Sequence, residues 1–81
     1  MDKGVEDQLV GNIISWITEE DSRKEAIQSR VEVLQNLRKG SGEIVELVMY
    51  YEVGVPQWFL EYEYLLEERD YKEIINTLME W

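Results

Sequence analysis

At 81 residues the chain is long enough for one domain built on one core, near the lower end of what folds alone. It has 18 acidic and 8 basic residues, no histidine and no cysteine, for a net charge of −10. That composition excludes disulfide staples and thiolate metal sites, and it argues against free nucleic acid or an anionic membrane as partner, since both need clustered Lys and Arg.

A hydrophobic content of 44%, with three Trp, five Tyr and one Phe, supplies the large side chains a small core needs, so a folded domain is expected over 1–81. Met1-Asp2-Lys3-Gly4 lacks a basic segment followed by an apolar run, and no apolar stretch is long enough to span a bilayer. A cytoplasmic protein without cofactors is the expectation.

Hydrophobic spacing predicts an all-α fold: a single compact bundle of four to five short helices, at about 5–19, 22–39, 43–53, 56–68 and 70–80. In the first, Val5, Leu9, Ile13, Trp16 and Ile17 fall on one side, and Gly11 weakens it somewhat, close packing against a neighbour being one reason to tolerate it. The second opens on Ser22-Arg23-Lys24-Glu25, which reads as a capping box, and stops at Gly40. Its broad apolar face is Ala26, Ile27, Val31, Val33, Leu34 and Leu37, with Arg30 in the middle. Lys39-Gly40-Ser41-Gly42 reads as a flexible turn, with Ser41 as the cap of the third helix.

That third helix is apolar almost all round and is therefore predicted to be the central one. Ile44, Leu47, Val48 and Tyr51 make one of its faces, and Val45, Met49 and Val53 another. Gly54 followed by Pro56 marks the sharpest break in the chain. In the fourth helix Trp58, Phe59, Tyr62, Leu65 and Leu66 share the inward face, while Leu60 and Tyr64 point outward among Glu61, Glu67 and Glu68. Asp70-Tyr71-Lys72-Glu73 reads as the cap of a fifth helix, with Tyr71, Ile74, Ile75 and Leu78 inward. The alternative for the fourth and fifth is one bent helix.

Catalysis is not expected. Without His or Cys the commonest general base, thiol nucleophile and zinc ligands are missing, and the four serines stand in no elbow or triad context. Glu61, Glu67, Glu68 and Asp70 have the oxygen chemistry for Mg²⁺ or Ca²⁺, but on helices such spacing reads as a solvated face.

Two local resemblances exist. Val53-Gly54-Val55-Pro56-Gln57-Trp58-Phe59-Leu60 resembles the turn of a helix-turn-helix repressor, in which a Gly-Val pair joins two helices. It departs where that family carries a small residue, at Tyr50, and where it reads bases, at Glu61 and Glu63, so DNA binding is not implied. Tyr62 to Leu78 is similar to half a tetratricopeptide unit, with Asp70-Tyr71 opening the second helix; such units stabilise one another in arrays.

What remains is binding. Met1 to Gly42 has eight acids and six bases, whereas Glu43 to Trp81 has ten and two, so the charge belongs to the second half. A protein-binding module of adaptor, inhibitor or assembly-chaperone type is expected, meeting a basic or mixed protein surface through Leu60, Tyr64, Glu61, Glu67 and Glu68. A second reading is an acidic mimic of nucleic acid, antitoxin-like and of viral or mobile-element type, that blocks a basic cleft. A third is a homodimer through the second helix, with Arg30, Ile27 and Leu34 at the two-fold contact. The alternatives for Arg30 are a carboxylate of its own chain, Glu46 or Glu52, or a stem packed under a solvated head. Trp81 is expected to dock on the core beside Trp16 or Tyr71.

Overall fold

The computed structural model describes residues 3–81 and gives five α-helices over them, in order α1 (Lys3–Ile17), α2 (Lys24–Asn36), α3 (Ser41–Val48), α4 (Gln57–Tyr62) and α5 (Glu68–Glu80). A 3₁₀ turn at Asp21–Arg23 precedes α2, a π-helical segment at Met49–Val53 prolongs α3, and a 3₁₀ turn at Glu63–Leu65 ends α4. The all-α bundle expected from periodicity is what forms, and α4 and α5 are separate because Leu66 is extended between them (φ −82°, ψ 140°).

One cluster of buried side chains holds the helices together. Ile13 and Ile17 come from α1, Ile27 and Val31 from α2, Val45 and Val48 from α3, Phe59 from α4, and Ile74 and Leu78 from α5, each fully buried. As the sequence predicted, α3 is central: it packs on α2 and α5, and its π segment reaches α1. The last helix shares that role, since α5 also touches α1 and α2. A side-chain bond fixes the α2–α5 contact, Gln28 Nε2 donating to the Leu78 carbonyl at 2.8 Å. Trp81 packs against the core, whereas the edge-on partner of Trp16 is Trp58, 6.2 Å away.

Several helix ends differ from expectation, each for a backbone reason. Ser22 caps nothing: the first free N–H groups of this region are taken by carbonyls of the 3₁₀ turn, Arg23 N–H by Glu20 at 3.1 Å and Lys24 N–H by Asp21. Ser41 is already helical, and Gly40 takes the cap position with no side-chain bond. Asp70 lies inside α5, where its Oδ2 accepts the Glu67 N–H at 2.9 Å, so the capping logic operates three residues earlier than read. Nothing packs on Gly11, which faces open space. Gly42, by contrast, has a use: a Cβ there would stand 3.1 Å from the Tyr71 ring, so this first turn of α3 is the seat of that ring.

The end of α2 carries an identifiable flaw. The helix stops at Asn36, not at Gly40, through paired bonds from Lys39 N–H to the Leu34 carbonyl (3.3 Å) and Arg38 N–H to the Gln35 carbonyl (2.9 Å). That motif requires a left-handed residue at Arg38, whose φ is +60°. A side chain there costs about 1 kcal/mol relative to glycine. Arg38→Gly is therefore expected to stabilise the fold by about 1 kcal/mol, read as a higher urea midpoint; a lower one would refute the assignment of strain to this residue.

Candidate functional site

The Gln57–Leu65 segment presents side chains in opposite directions because it is so short. In α4 only Phe59 is buried, with Trp58 half-buried beside it, 6.4 Å between ring centroids. Leu60, one residue on, is rotated out of the core and is 54% exposed. The tighter 3₁₀ turn then brings Leu65 inward and leaves Tyr64 76% exposed. Leu60 and Tyr64, four residues apart, thus stand on the outer side, as read from the sequence.

Tyr62 does not follow the prediction. It was expected to point inward, but the change from α to 3₁₀ geometry at this residue (φ −116°) leaves it exposed. It lines a shallow groove of about 310 Å³ with Val5, Leu9 and Leu65, so Val5 is not core either.

Acidic side chains come from α3 (Glu46), α4 (Glu61), the 3₁₀ turn (Glu63), the link before α5 (Glu67) and α5 itself (Glu68). Glu61, Glu67 and Glu68 are all exposed. Glu67 is tied to its neighbour, with Arg69 Nε 3.1 Å from its carboxylate. Glu63 is held above the usual carboxylate range, first by partial burial and then by the charge of Glu46 on α3. Burial pushes the Tyr71 hydroxyl up to about 12, with further contributions from Glu63, Glu46, Asp70 and Glu68. Negative charge is therefore concentrated from α3 across the 3₁₀ turn to the start of α5. Among the described residues no group of three or more acidic, histidine or cysteine side chains is placed to hold a metal ion, and no helix is long and apolar enough to cross a membrane.

The second candidate surface needs a correction. Ile27 and Leu34 lie in the core and are not available to another chain. Their burial has a simple cause: with Val31 they form the stripe of α2 that packs inward, and Arg30, Val33 and Leu37 fall beside it. Val33 is exposed and Leu37 is 63% exposed, although both were read as part of the apolar inward face. Arg30 contacts neither Glu46 nor Glu52 as an ion pair. Its guanidinium lies over the Tyr51 ring, Cζ 5.5 Å from the centroid, and its Nε is buried without a hydrogen-bond partner among the described residues.

Tyr51 is itself displaced from its expected place. An α-helical count from Ile44 and Val48 puts it inward, but the π segment, closed by the Gly54 N–H on the Met49 carbonyl at 2.6 Å, advances less per residue. Met49 remains buried while Tyr50 and Tyr51 emerge together, edge to face with centroids 5.2 Å apart. With Glu43, Glu46 and Leu47 they line a groove of about 290 Å³. No residue type in Met49–Val53 signals the π segment in the sequence; only the glycine that ends it, Gly54, is legible there.

The two local resemblances do not extend to the architecture. The helix after Gly54 has six residues and carries no Lys or Arg, unlike the reading helix of that motif. The packing partner of α5 is chiefly α3, not the preceding α4, unlike a repeat hairpin. No protein-family model matches the sequence, and no curated protein or solved structure shows detectable similarity to it.

Proposed function

We propose that the chain is a non-enzymatic protein-binding module that engages a basic partner surface through Leu60 and Tyr64. The observation that carries this reading is their exposure, at 54% and 76%, in a stretch of chain that also exposes Glu61, Glu67 and Glu68. A leucine and a tyrosine that contribute so little to their own core gain most from burial against another protein, and the acids around them select its charge. An adaptor, an inhibitor and an assembly chaperone all use such a surface.

The expected result is loss of partner binding in the Leu60→Ala, Tyr64→Ala double variant. A hot-spot residue contributes about 2 kcal/mol, so affinity should fall about 30-fold if one of the two is a hot spot and up to about 1,000-fold if both are. Far-UV circular dichroism should be unchanged, because neither side chain supports the fold. Partners captured on immobilised wild type would be identified by mass spectrometry and titrated against both proteins; equal affinity for the variant would sink the proposal.

The crowding of Glu46, Glu63 and Glu68 around Tyr71 supports a second reading, an acidic mimic that occupies the nucleic-acid cleft of a basic protein. The same titration separates the two. Mimicry requires affinity that falls steeply with salt and survives loss of Leu60 and Tyr64, whereas a hot spot is salt-tolerant and does not survive it.

A further inference from the structure

Two of the three tryptophans stand together where the end of α1 meets the start of α4. Trp16 and Trp58 pack edge to face, their planes 82° apart and their centroids separated by 6.2 Å. With Asn12, Ser15 and Glu19 they line an open notch of about 440 Å³. Both indoles are half-buried, and the Trp16 Nε1 is buried without a hydrogen-bond partner among the described residues. What the Trp16 ring exposes is therefore carbon and π surface, not its N–H. Neither Leu60 nor Tyr64 lines this notch.

The walls select one class of ligand. Two indoles at right angles bound the same space, and the negative face of an aromatic ring attracts a weakly hydrated cation. A rounded cation touches both rings at once, whereas a flat one stacks on a single ring. Glu19 supplies the matching charge, and no Lys or Arg lines the notch to cancel it. Among the described residues no ion pair or side-chain hydrogen bond uses Asn12, Ser15 or Glu19. The notch also lies at the C-terminal end of α1, whose last turn carries no basic residue. The carbonyls at that end form the negative pole of the helix and add to the field of Glu19. An anion is repelled here. A metal ion gains nothing from the rings and needs more oxygen ligands than one carboxylate offers.

We infer that the Trp16–Trp58 notch is a binding site for an organic ammonium cation, its alkylated nitrogen held between the two rings and its charge opposite Glu19. Asn12 and Ser15 are free to bond a hydroxyl or carbonyl carried by the same ligand.

Choline chloride, a trimethylammonium alcohol, is the probe, titrated into the full chain at constant ionic strength. Heteronuclear NMR follows the three indole N–H groups, with Trp81, which does not line the notch, as the internal control. The Trp16 and Trp58 signals should shift and saturate, with a Kd of about 10 mM or tighter. The neutral alcohol in which carbon replaces the choline nitrogen should bind at least about tenfold more weakly. Glu19→Gln, at an exposed position outside the core, should weaken choline at least about threefold and leave the neutral alcohol unaffected. Each of three results overturns the inference: no saturating shift at Trp16 and Trp58, equal affinity for the neutral alcohol, or wild-type choline binding in Glu19→Gln.

Discussion

Phe59→Ala is expected to remove most of the stability of this protein. A chain of this length has about 4–12 kcal/mol in hand, and emptying a buried phenylalanine site costs about 3–5 kcal/mol. The loss cannot be absorbed locally. With six residues α4 is far below the ~12–15 at which a helix holds without packing, and Phe59 is its only buried side chain. Without that anchor the segment from Gly54 to Leu66 has the buried Leu65 and the half-buried Val55, Trp58 and Leu66 left to hold it. No disulfide restrains the unfolded chain. Urea unfolding monitored at the tryptophans would report the change as a midpoint near the start of the titration. Leu60→Ala, one residue away, should move it by less than about 0.5 kcal/mol. This contrast separates fold from function within two adjacent positions; a Phe59→Ala cost below about 1 kcal/mol would mean that α4 is not held by its ring.

The same segment shows why part of the candidate site was legible beforehand. Leu60 and Tyr64 are out of phase with Phe59 and Leu65 under α-helical or 3₁₀ counting alike, so their outward direction does not depend on the local geometry. Gly54 and Pro56 were equally secure, because a positive φ (+93°) and a missing N–H are properties of those residue types. Tyr51, Tyr62, Val33 and Leu37 were misplaced for a different reason. Their directions depend on whether a turn is α, π or 3₁₀, or on how wide the buried stripe is, and both are decided by packing partners distant in sequence. Caps failed in the same way. Ser22, Ser41 and Asp70 are good capping residues, but a neighbouring carbonyl or a shift of three residues satisfied the same donors. At Arg38 the chain accepts left-handed strain two residues before a glycine that could have carried it, and no contact of the structure explains the choice of Arg38 over Gly40.

Glu6→Gln is expected to make the protein more stable at neutral pH and to flatten its pH dependence. Glu6 on α1 and Asp70 on α5 are both buried at the same helix contact, an arrangement of like charges that costs unless a proton is shared. The Glu6 carboxyl is accordingly held above its usual value of 4.5, first by its hydrogen bond to Asp70, then by burial and by the Asp70 charge. Arg69 opposes the shift, its NH2 group standing 3.4 Å from Glu6 Oε1. Lys3, Asp7, Lys72 and Glu73 line the open groove outside the pair. The folded state therefore binds a proton at Glu6 that the unfolded state has released, over the window from 4.5 up to the raised value. Stability from this pair is fully present below 4.5 and is lost as pH rises through the raised value. A glutamine donates to Asp70 and accepts from Arg69 at every pH, so it keeps both bonds without the titration. Urea midpoints measured for both proteins from about pH 4 to pH 8 should diverge as pH rises, with the variant the more stable at the upper end. Subtracting one curve from the other removes the repulsion that the rest of the net charge adds to both. Parallel curves would mean that Glu6 is ionised in the folded protein, paired with Arg69 alone, and that α1 and α5 meet without a shared proton.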